Sequence, residues 1–375
     1  MARPNVTVIV NDESFVISGT ESGGIHRSGY MSAGGLTLIN ALGYTADRTN
    51  QYMVVENIND WFGRLKSSAT TGYADTFSNG ASAAGGTSGL PFLHGGTGGT
   101  AGNIFAGGTF ERWPTGPTGT WKQDWYNIQN YLQYGGVAVI FGGTAGTIGS
   151  AQAKASDKSV TVDSLFGASA GAATTAVQVV TDLRGDCVGV VGIPSTTTVA
   201  SAGATKTAGE NIINVYGEKL TRDINRLNTG NLTDSDLITI PLTCDVAGCL
   251  ARTDRLASPW FSPAGARRGR ILDVIKLAKE LTDSEQDTLY DAGINPVVSF
   301  AGEGTLLFGD KTGAAATSTL SRINVARLFL YLKNIIGRAA RTILFELNDS
   351  TTRNLFVNAV TPVLRNIQGG RGITD

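Results

Sequence analysis

The sequence predicts a multi-domain, mixed α/β fold, and three stretches carry that prediction. Apolar side chains recur at helical spacing over residues 121–132, and Gly135-Gly136 then leads into the apolar run 137–141. A helix followed directly by a strand is typical of an α/β layer. The apolar run 188–193 indicates a buried central strand. The last third is strongly patterned, so we expect a mixed-sheet core flanked by helices there, together with Gly-rich outer insertions.

The N-terminal segment, residues 1–18, is predicted to be an extended arm. Val6, Val8 and Val10 alternate with polar residues, which is the period of a strand. Such a terminal strand can lie at the edge of its own sheet or reach a neighbouring molecule, and the pattern favours neither.

The middle of the chain alternates between patterned blocks and low-complexity insertions. Residues 67–120 and 144–180 are rich in Gly, Ser and Thr, so we expect outward-facing surface insertions with sparse strands. The remaining blocks, 19–66, 121–143 and 181–260, are expected to form one discontinuous α/β domain. Within it the pattern predicts a strand at 52–55, a short helix over 58–65, a helix over 210–227 and a strand at 237–242.

The C-terminal block, 261–375, is predicted to be a separate domain that begins with two helices. Apolar residues at three-and-four spacing over 271–281 predict a helix buried on one face. Thr282 to Glu285 then forms a capping-box pattern that starts a second, short helix, and Gly293 can close it in a left-handed conformation.

Two strands and two longer helices are expected to complete this block. The apolar runs 297–300 and 306–308 predict neighbouring strands, and 325–343 carries the wide apolar stripe of a long helix. Asp349 or Ser350 can cap a last helix, in which Pro362 predicts a kink or a two-piece helix.

Composition excludes several classes of protein. The chain of 375 residues is 41% hydrophobic and has a net charge of −1, so no global field attracts nucleic acid or an anionic membrane. Its three cysteines, Cys187, Cys244 and Cys249, fit free thiols in a reducing compartment. No apolar run approaches the roughly 20 residues of a membrane helix, and no leader precedes the first strand. We therefore expect a soluble protein without a cleaved signal.

Four short motifs suggest chemistry that the surrounding residues do not support. Gly167 to Gly171 fits the G-x-S-x-G elbow of a serine hydrolase with Ser169 as nucleophile. However, both histidines, His26 and His94, precede it, and the flanks do not read as strand then helix. Each histidine is expected to be a surface or loop residue, and the hydrolase is kept only as an alternative.

The other three motifs are expected to be structural. The P-loop-like stretch 304–312 carries Asp310 before its lysine, where an acid would oppose phosphate, so we expect a strand and a turn. The adhesion-type tripeptide at 184–186 leads straight into an apolar strand. Cys244 and Cys249 lack the spacing and the second pair that zinc requires. The sequence therefore predicts no catalytic, cofactor-binding or metal-binding residues.

A family resemblance is carried by seven stretches of the last third. They are DVAGCLARTD (245–254), PWFSPAGARRG (259–269), LYDAGINPVVSF (289–300), GEGTLLFGDKT (302–312), SRINVARLFLYL (321–332), LFELND (344–349) and RGITD (371–375). In this order they resemble the tail sheath protein of contractile-tailed bacteriophages. Weaker similarity extends to 186–194 and 131–140. The resemblance covers about 130 residues in one order.

The resemblance implies a structural, non-enzymatic subunit without cofactors. Such subunits stack in rings around a tail tube and contract to drive it through the host envelope for genome ejection. Implied partners are other copies of the chain, the tail tube protein, the baseplate and the tail terminator, with neither nucleic acid nor membrane insertion. The implied location is the virion tail, after assembly in the host cytoplasm; another self-assembling tail or surface-layer component is the remaining alternative.

The resemblance also suggests which residues contact neighbours. The N-terminal arm would add a strand to the next subunit's sheet, and 261–375 would be the inner sheath domain. Because the family continues past RGITD, the resemblance implies either that this domain is truncated or that the molecule lacks the C-terminal arm. Arg267 and Arg268 can be a solvated helix start, a docking patch between subunits or a nucleic-acid contact. The expected inter-subunit or tube contacts are Val6, Val8, Val10, Arg267, Arg268, Arg327, Lys333, Arg338 and Arg365.

Overall fold

The computed structural model describes residues 25–41, 52–59, 61, 122–142, 147–167, 172–223, 237–316 and 318–373. The predicted arm with Val6, Val8 and Val10 lies outside these residues, as do the insertion 67–120, Ser169 and most of the predicted helix 58–65. No helix in these ranges combines the length and the apolar character that a membrane crossing requires.

Eleven strands and nine α-helices are found within the described ranges. The strands are β1 Arg27–Met31, β2 Tyr52–Val55, β3 Val137–Phe141, β4 Ser164–Gly167, β5 Val188–Ile193, β6 Ile212–Tyr216, β7 Glu218–Arg222, β8 Leu237–Pro241, β9 Lys276–Leu277, β10 Val297–Phe300 and β11 Gly304–Leu307. The helices are α1 Gly35–Ala41, α2 Lys122–Leu132, α3 Ile148–Ala155, α4 Ala172–Arg184, α5 Val199–Thr205, α6 Thr243–Leu256, α7 Asp283–Asp291, α8 Ile323–Arg341 and α9 Ser350–Gly369. The mixed α/β fold class is confirmed.

A six-stranded sheet in the order β2-β3-β1-β4-β5-β6 forms the centre of the molecule. Strands β3, β1, β4, β5 and β6 run parallel, and β2 pairs antiparallel with β3 at one edge. The strands are short and almost wholly buried, as expected for a parallel sheet covered on both faces. Two smaller sheets, β8-β7-β9 and β10-β11, complete the strand structure.

Helices cover both faces of the central sheet. On one face, α2 and α6 pack against strand residues such as Tyr30, Ile140 and Phe166. On the other, α3 and α4 pack against the alternate residues, such as Met31 and Phe141. Because successive side chains of a strand point to opposite faces, adjacent residues divide between the two cores.

The expectation that 144–180 is an outward insertion is wrong for its described residues. Strand β4 lies in the middle of the sheet between β1 and β5, and Leu165 and Phe166 are fully buried. The small residues around it permit close packing, since a Cβ on Gly167 would lie 2.9 Å from the carbonyl oxygen of Met31. A Gly- and Ala-rich composition here reflects tight contact between layers.

The predicted helix over 210–227 is also wrong, because two strands, β6 and β7, occupy its described part. Strand β6 is buried at all five positions, and its backbone pairs with β5. Gly217, at φ +92°, separates the two strands and lets the chain pass into the smaller sheet. The β-branched residues Ile212, Ile213 and Val215 favour a strand over a helix here.

Residues 271–281, predicted as a helix, contain no helix and include only the short strand β9. The amide of Ile271 donates to the carbonyl of Thr305, and the amide of Ile275 donates to the carbonyl of Leu220. Asp273 has φ +51°, which interrupts any regular helix. Backbone bonds to two neighbouring sheets therefore replace the helical ones.

The remaining C-terminal elements agree with their predictions. Thr282 caps α7 through a reciprocal capping box with Glu285, and Gly293 has φ +80°. Strands β10 and β11 pair antiparallel. Helix α9 is capped by Asp349 and runs without interruption past Pro362, so the two-piece alternative is wrong.

Candidate interaction surface

Helices α8 and α9 form a hairpin that is attached to the body at one end. Trp260 packs against Ile335, Val363 and Ile367, and its indole Nε1 donates to the carbonyl of Gly370 at 2.8 Å. Lys333 donates to the carbonyl of Gly185, and Asn334 donates to that of Asp186. The contacts of Trp260 join the hairpin to the segment after α6, and those of Lys333 and Asn334 fix it to the loop between α4 and β5.

The other end of the hairpin, which we call the tip (residues 342–357), exposes large apolar side chains. Leu344, Phe345 and Leu347 are 65%, 97% and 80% exposed, and Leu355 and Val357 on α9 are also largely exposed. An apolar surface rimmed by polar residues is typical of an interaction site. The tip was not predicted, although LFELND concentrates three large apolar residues among acids just before a helix cap.

Arg327, predicted to contact a neighbour, is instead buried inside the chain. It is 5% exposed and its guanidinium pairs with the carboxylate of Asp254 on α6. That carboxylate is also 2.6 Å from Nδ1 of His26. Burial alone would raise the pKa of Asp254, but Arg327 and His26 hold it below its ordinary value. Arg327 therefore attaches α8 to the core and is not part of the surface.

His26 is likewise buried, so it is not a surface residue, although it does lie outside any helix or strand, directly before β1. Its Nε2 lies 2.9 Å from the hydroxyl of Ser164, which in turn lies 2.6 Å from that of Ser28. Both serines are fully buried, so this Asp-His-Ser chain is sealed from substrate. This chain of hydrogen bonds has a structural role, because it joins α6 to β1 and β4.

The same geometry bears on Ser169. Strand β4 precedes the GASAG stretch and α4 follows it, so the expectation that strand and helix do not flank this stretch is wrong. His26, however, bonds to Ser164 at the start of β4, roughly 10 Å of strand before Gly167 at its end. His26 is therefore held at the opposite end of β4 from Gly167, the first residue of that stretch.

The predicted surface arginines and lysine have mixed positions. Arg267, Lys333, Arg338 and Arg365 are exposed. Arg268 is half-buried: its Nε donates to the carbonyl of Ser262 at 2.7 Å, and it lies over the ring of Phe261. No helix begins at these arginines, so the solvated-helix-start reading is wrong.

The motifs expected to be structural are structural. In the P-loop-like stretch, β11 follows a turn at 301–303 and leads into irregular backbone at 308–310, and the amine of Lys311 donates to the carbonyl of Tyr290. Arg184 is 3% exposed and bonds to carbonyls of Ala155, Asp157 and Val160.

The three cysteines are free and buried, as predicted. Within the described ranges no group of His, Cys, Asp or Glu side chains is arranged to hold a metal ion.

Comparison with known proteins tests the family resemblance. A family model described as the phage tail sheath protein central domain matches residues 131–313. The tail sheath protein of Vibrio phage KVP40 is 49% identical over 136 residues, and that of Enterobacteria phage T4 is 46% identical over 134 residues. Each alignment covers 36% of this chain and 20% of the relative, so the chain matches about a fifth of the length of these proteins.

Solved structures show the same fold over a larger part of the chain. The anti-feeding prophage helical sheath in its contracted state matches with a TM-score of 0.58 at 13% identity, covering 94% of this chain and 81% of that one. The sheath complex of an extracellular contractile injection system, also contracted, matches with a TM-score of 0.55 at 21% identity, covering 68% and 67%. The predicted resemblance is therefore confirmed: residues 131–313 match the model of the phage tail sheath protein central domain, and the fold is that of contractile sheath proteins.

Proposed function

We propose that this chain is a structural subunit of a contractile phage tail sheath, which packs around a tail tube and shortens to drive the tube through the host envelope. The observation that carries the proposal is the 49% and 46% identity to two phage tail sheath proteins. The fold similarity to helical sheaths supports it independently. The match spans only a fifth of the length of those relatives. The activity of the whole sheath protein is therefore a proposal for this chain.

The proposed mechanism needs subunits that move as rigid bodies. Contraction is then a shift between two packings of the same subunit, with the free energy held in contacts between copies. The doubly covered sheet suits a rigid body, and the pairing of Arg327 with Asp254 supports movement of the hairpin with the sheet. No nucleotide or metal is required, so we propose a non-enzymatic role.

The proposed partners follow from that mechanism. They are further copies of the chain, a tail tube protein, a baseplate and a tail terminator, within a virion tail assembled in the host cytoplasm. Contact with nucleic acid or membrane insertion is not part of the proposal, in keeping with the net charge of −1.

Arg327 is no longer among the proposed contact residues, because it is buried. Arg267, Arg268, Lys333, Arg338 and Arg365 remain proposed inter-subunit or tube contacts, since each has at least part of its side chain at the surface. We keep the N-terminal arm, with its Val6, Val8 and Val10, as a proposed augmenting strand.

Electron microscopy of the full chain mixed with preassembled tail tubes tests the function. A sheath subunit should decorate the tubes with a regular helical coat. The matched control is the same mixture with a tube of unrelated sequence, which should stay bare. Bare tubes in both mixtures, with the chain folded, would contradict the proposal.

A further inference from the structure

Three buried polar side chains from three different elements meet in the interior of the molecule. They are Asn130 on α2, Lys219 on β7 and Asp245 on α6, and they are 1%, 0% and 0% exposed. Nζ of Lys219 lies 2.9 Å from Oδ1 of Asn130 and 2.8 Å from Oδ1 of Asp245. Lysine is almost never buried this fully unless it has a charged partner. Asp245 accounts for the burial, and the amide beside the pair gives the cluster a second chemistry.

Neighbouring groups fix the orientation of the three side chains. Nδ2 of Asn130 donates to the carbonyl of Tyr126 at 2.9 Å, so the amide oxygen faces the lysine. The hydroxyl of Tyr134 donates to Asp245 at 2.8 Å, and the lysine also donates to the carbonyl of Leu272 at 2.6 Å. Because a C=O bond is about 1.2 Å long, Cγ of Asn130 lies within about 4.1 Å of the lysine nitrogen. That distance is close to the roughly 3–3.5 Å from which well-oriented groups react.

An amine, a carboxylate and an amide in this arrangement are the groups that an amide exchange needs. A lysine amine is a nucleophile once it has given up a proton, and a base within hydrogen-bond distance can accept that proton. Asp245 is such a base for Lys219, since the two are in direct contact. The exchange also replaces a buried ion pair by neutral groups, a change that is often neutral or stabilising.

We propose that Lys219 and Asn130 become joined by an intramolecular isopeptide bond, which the folded chain forms by itself. Asp245 takes one proton from Nζ, and the free amine attacks Cγ of Asn130. As the Cγ–Nδ2 bond breaks, Nδ2 takes a second proton from the attacking nitrogen and leaves as ammonia. The third proton stays on the new amide nitrogen and Asp245 keeps the first, so atoms and charges balance and nothing is oxidised or reduced.

The bond ties together two parts of the fold that are 89 positions apart in the chain. Helix α2 covers the central sheet, whereas β7 belongs to the smaller sheet β8-β7-β9. Like a disulfide, such a link restricts the unfolded chain. The chain modifies itself once and turns over no substrate, and the inference does not depend on the proposed sheath function.

Intact-mass spectrometry of the full chain detects the reaction. After overnight incubation the folded chain should be lighter than its sequence requires by the mass of one ammonia, and Asn130→Ala should keep the full mass of its sequence. Asn127→Ala is the matched control, because it removes the other fully buried asparagine of α2 and should still lose ammonia. Circular dichroism confirms that each variant is folded.

Tryptic mapping of the unmodified chain locates the bond even if a variant fails to fold. Trypsin cuts after Lys219 in an unlinked chain but not after an acylated lysine. The linked product should therefore be one branched peptide that contains residues 123–154 and 207–222. Asp245→Asn removes the proton acceptor, so the rate at which this peptide forms should fall at least about tenfold.

Two results would overturn the isopeptide bond. The first is a folded, unmodified chain that keeps its full mass. The second is a loss of ammonia while residues 123–154 and 207–219 are recovered as separate peptides, which would mean that an asparagine had cyclised onto its own backbone. A branched peptide from the unmodified chain that is absent from Asn130→Ala and present in Asn127→Ala would establish the bond.

Discussion

Nδ1 of His26 lies 2.6 Å from Oδ2 of Asp254, although 228 positions separate the two residues in the chain. The other oxygen of the same carboxylate pairs with Arg327 of α8. One buried carboxylate thus joins the segment before β1, the helix α6 and the base of the C-terminal hairpin. In a low-dielectric interior such a link is strong only while every member is present.

Replacing Asp254 with Asn should therefore destabilise the whole protein. The change leaves the guanidinium of Arg327 buried without a counter-charge, which costs about 3–5 kcal/mol in the free energy of unfolding. Denaturant unfolding followed by circular dichroism measures the loss. Asp157→Asn is the matched control, because it removes an exposed partner of Lys154 and should change stability little. Equal losses for the two variants would show that the buried link is unimportant.

An ion-paired acid usually makes a protein more stable as pH rises. Asp310 should instead make this protein less stable as pH rises. Burial raises its pKa to about 6, although Ser262 and nearby arginines oppose the shift. The native state then binds a proton more readily than the unfolded state, so stability falls as pH rises from about 4 to about 6 and stays reduced above that.

Asp310→Asn removes that dependence and should stabilise the protein at pH 7.5 by about 1–2 kcal/mol, with little effect at pH 4. Unfolding free energies at both pH values measure the change. The arginines near Asp310 make the opposite result informative: a loss of stability at pH 7.5 would mean that their attraction to the carboxylate outweighs its burial.

Charge reversal at Arg365 tests the exposed face of α9. Arg365→Glu should leave the unfolding free energy within about 0.5 kcal/mol of the unmodified chain, since the side chain is exposed. It should reduce decoration of tail tubes seen by electron microscopy. Normal decoration would remove Arg365 from the proposed contacts.

Sequence reasoning succeeded where the local signal and the tertiary context agree. The capping box of Thr282 and Glu285, the left-handed Gly293 and the wide apolar stripe of α8 each specify an element through neighbouring residues alone. The same reasoning failed at 271–281, where the apolar residues have helical spacing but the backbone bonds to strands of two separate sheets.

Some elements gave almost no local signal. Strand β1 contains Arg27, Ser28 and Gly29, yet it lies in the middle of the sheet, where a Cβ on Gly29 would meet Leu165 at 2.6 Å and Phe141 at 2.7 Å. A strand whose small residues are required by its neighbours cannot be recognised before those neighbours are placed.

The buried link was missed for a related reason. His26, Asp254 and Arg327 are far apart in sequence, and each looks like an ordinary polar residue where it stands. Only the topology, which places β1 beside β4 and α6 over both, brings their side chains together.

One substitution, Gly to Ala, should have opposite effects in two helices. In α6, a Cβ on Gly248 would lie 2.3 Å from Cδ2 of Tyr134, whose ring is fixed by hydrogen bonds from its hydroxyl to Asp245 and from the amide of Leu272. In α8, a Cβ on Gly337 would meet nothing within 4 Å. Helix α6 has no room for a side chain at Gly248. In α8 there is room at Gly337, where glycine only lowers the helix propensity.

Gly248→Ala should therefore destabilise the protein by about 1–3 kcal/mol through overpacking, and Gly337→Ala should stabilise it by about 0.5–1 kcal/mol. Thermal and denaturant unfolding of the two variants beside the unmodified chain measure both effects. Each variant is the other's control for helix propensity, since the chemical change is identical. If both were stabilised alike, the packing of Tyr134 against α6 would have to be looser than the structure has it.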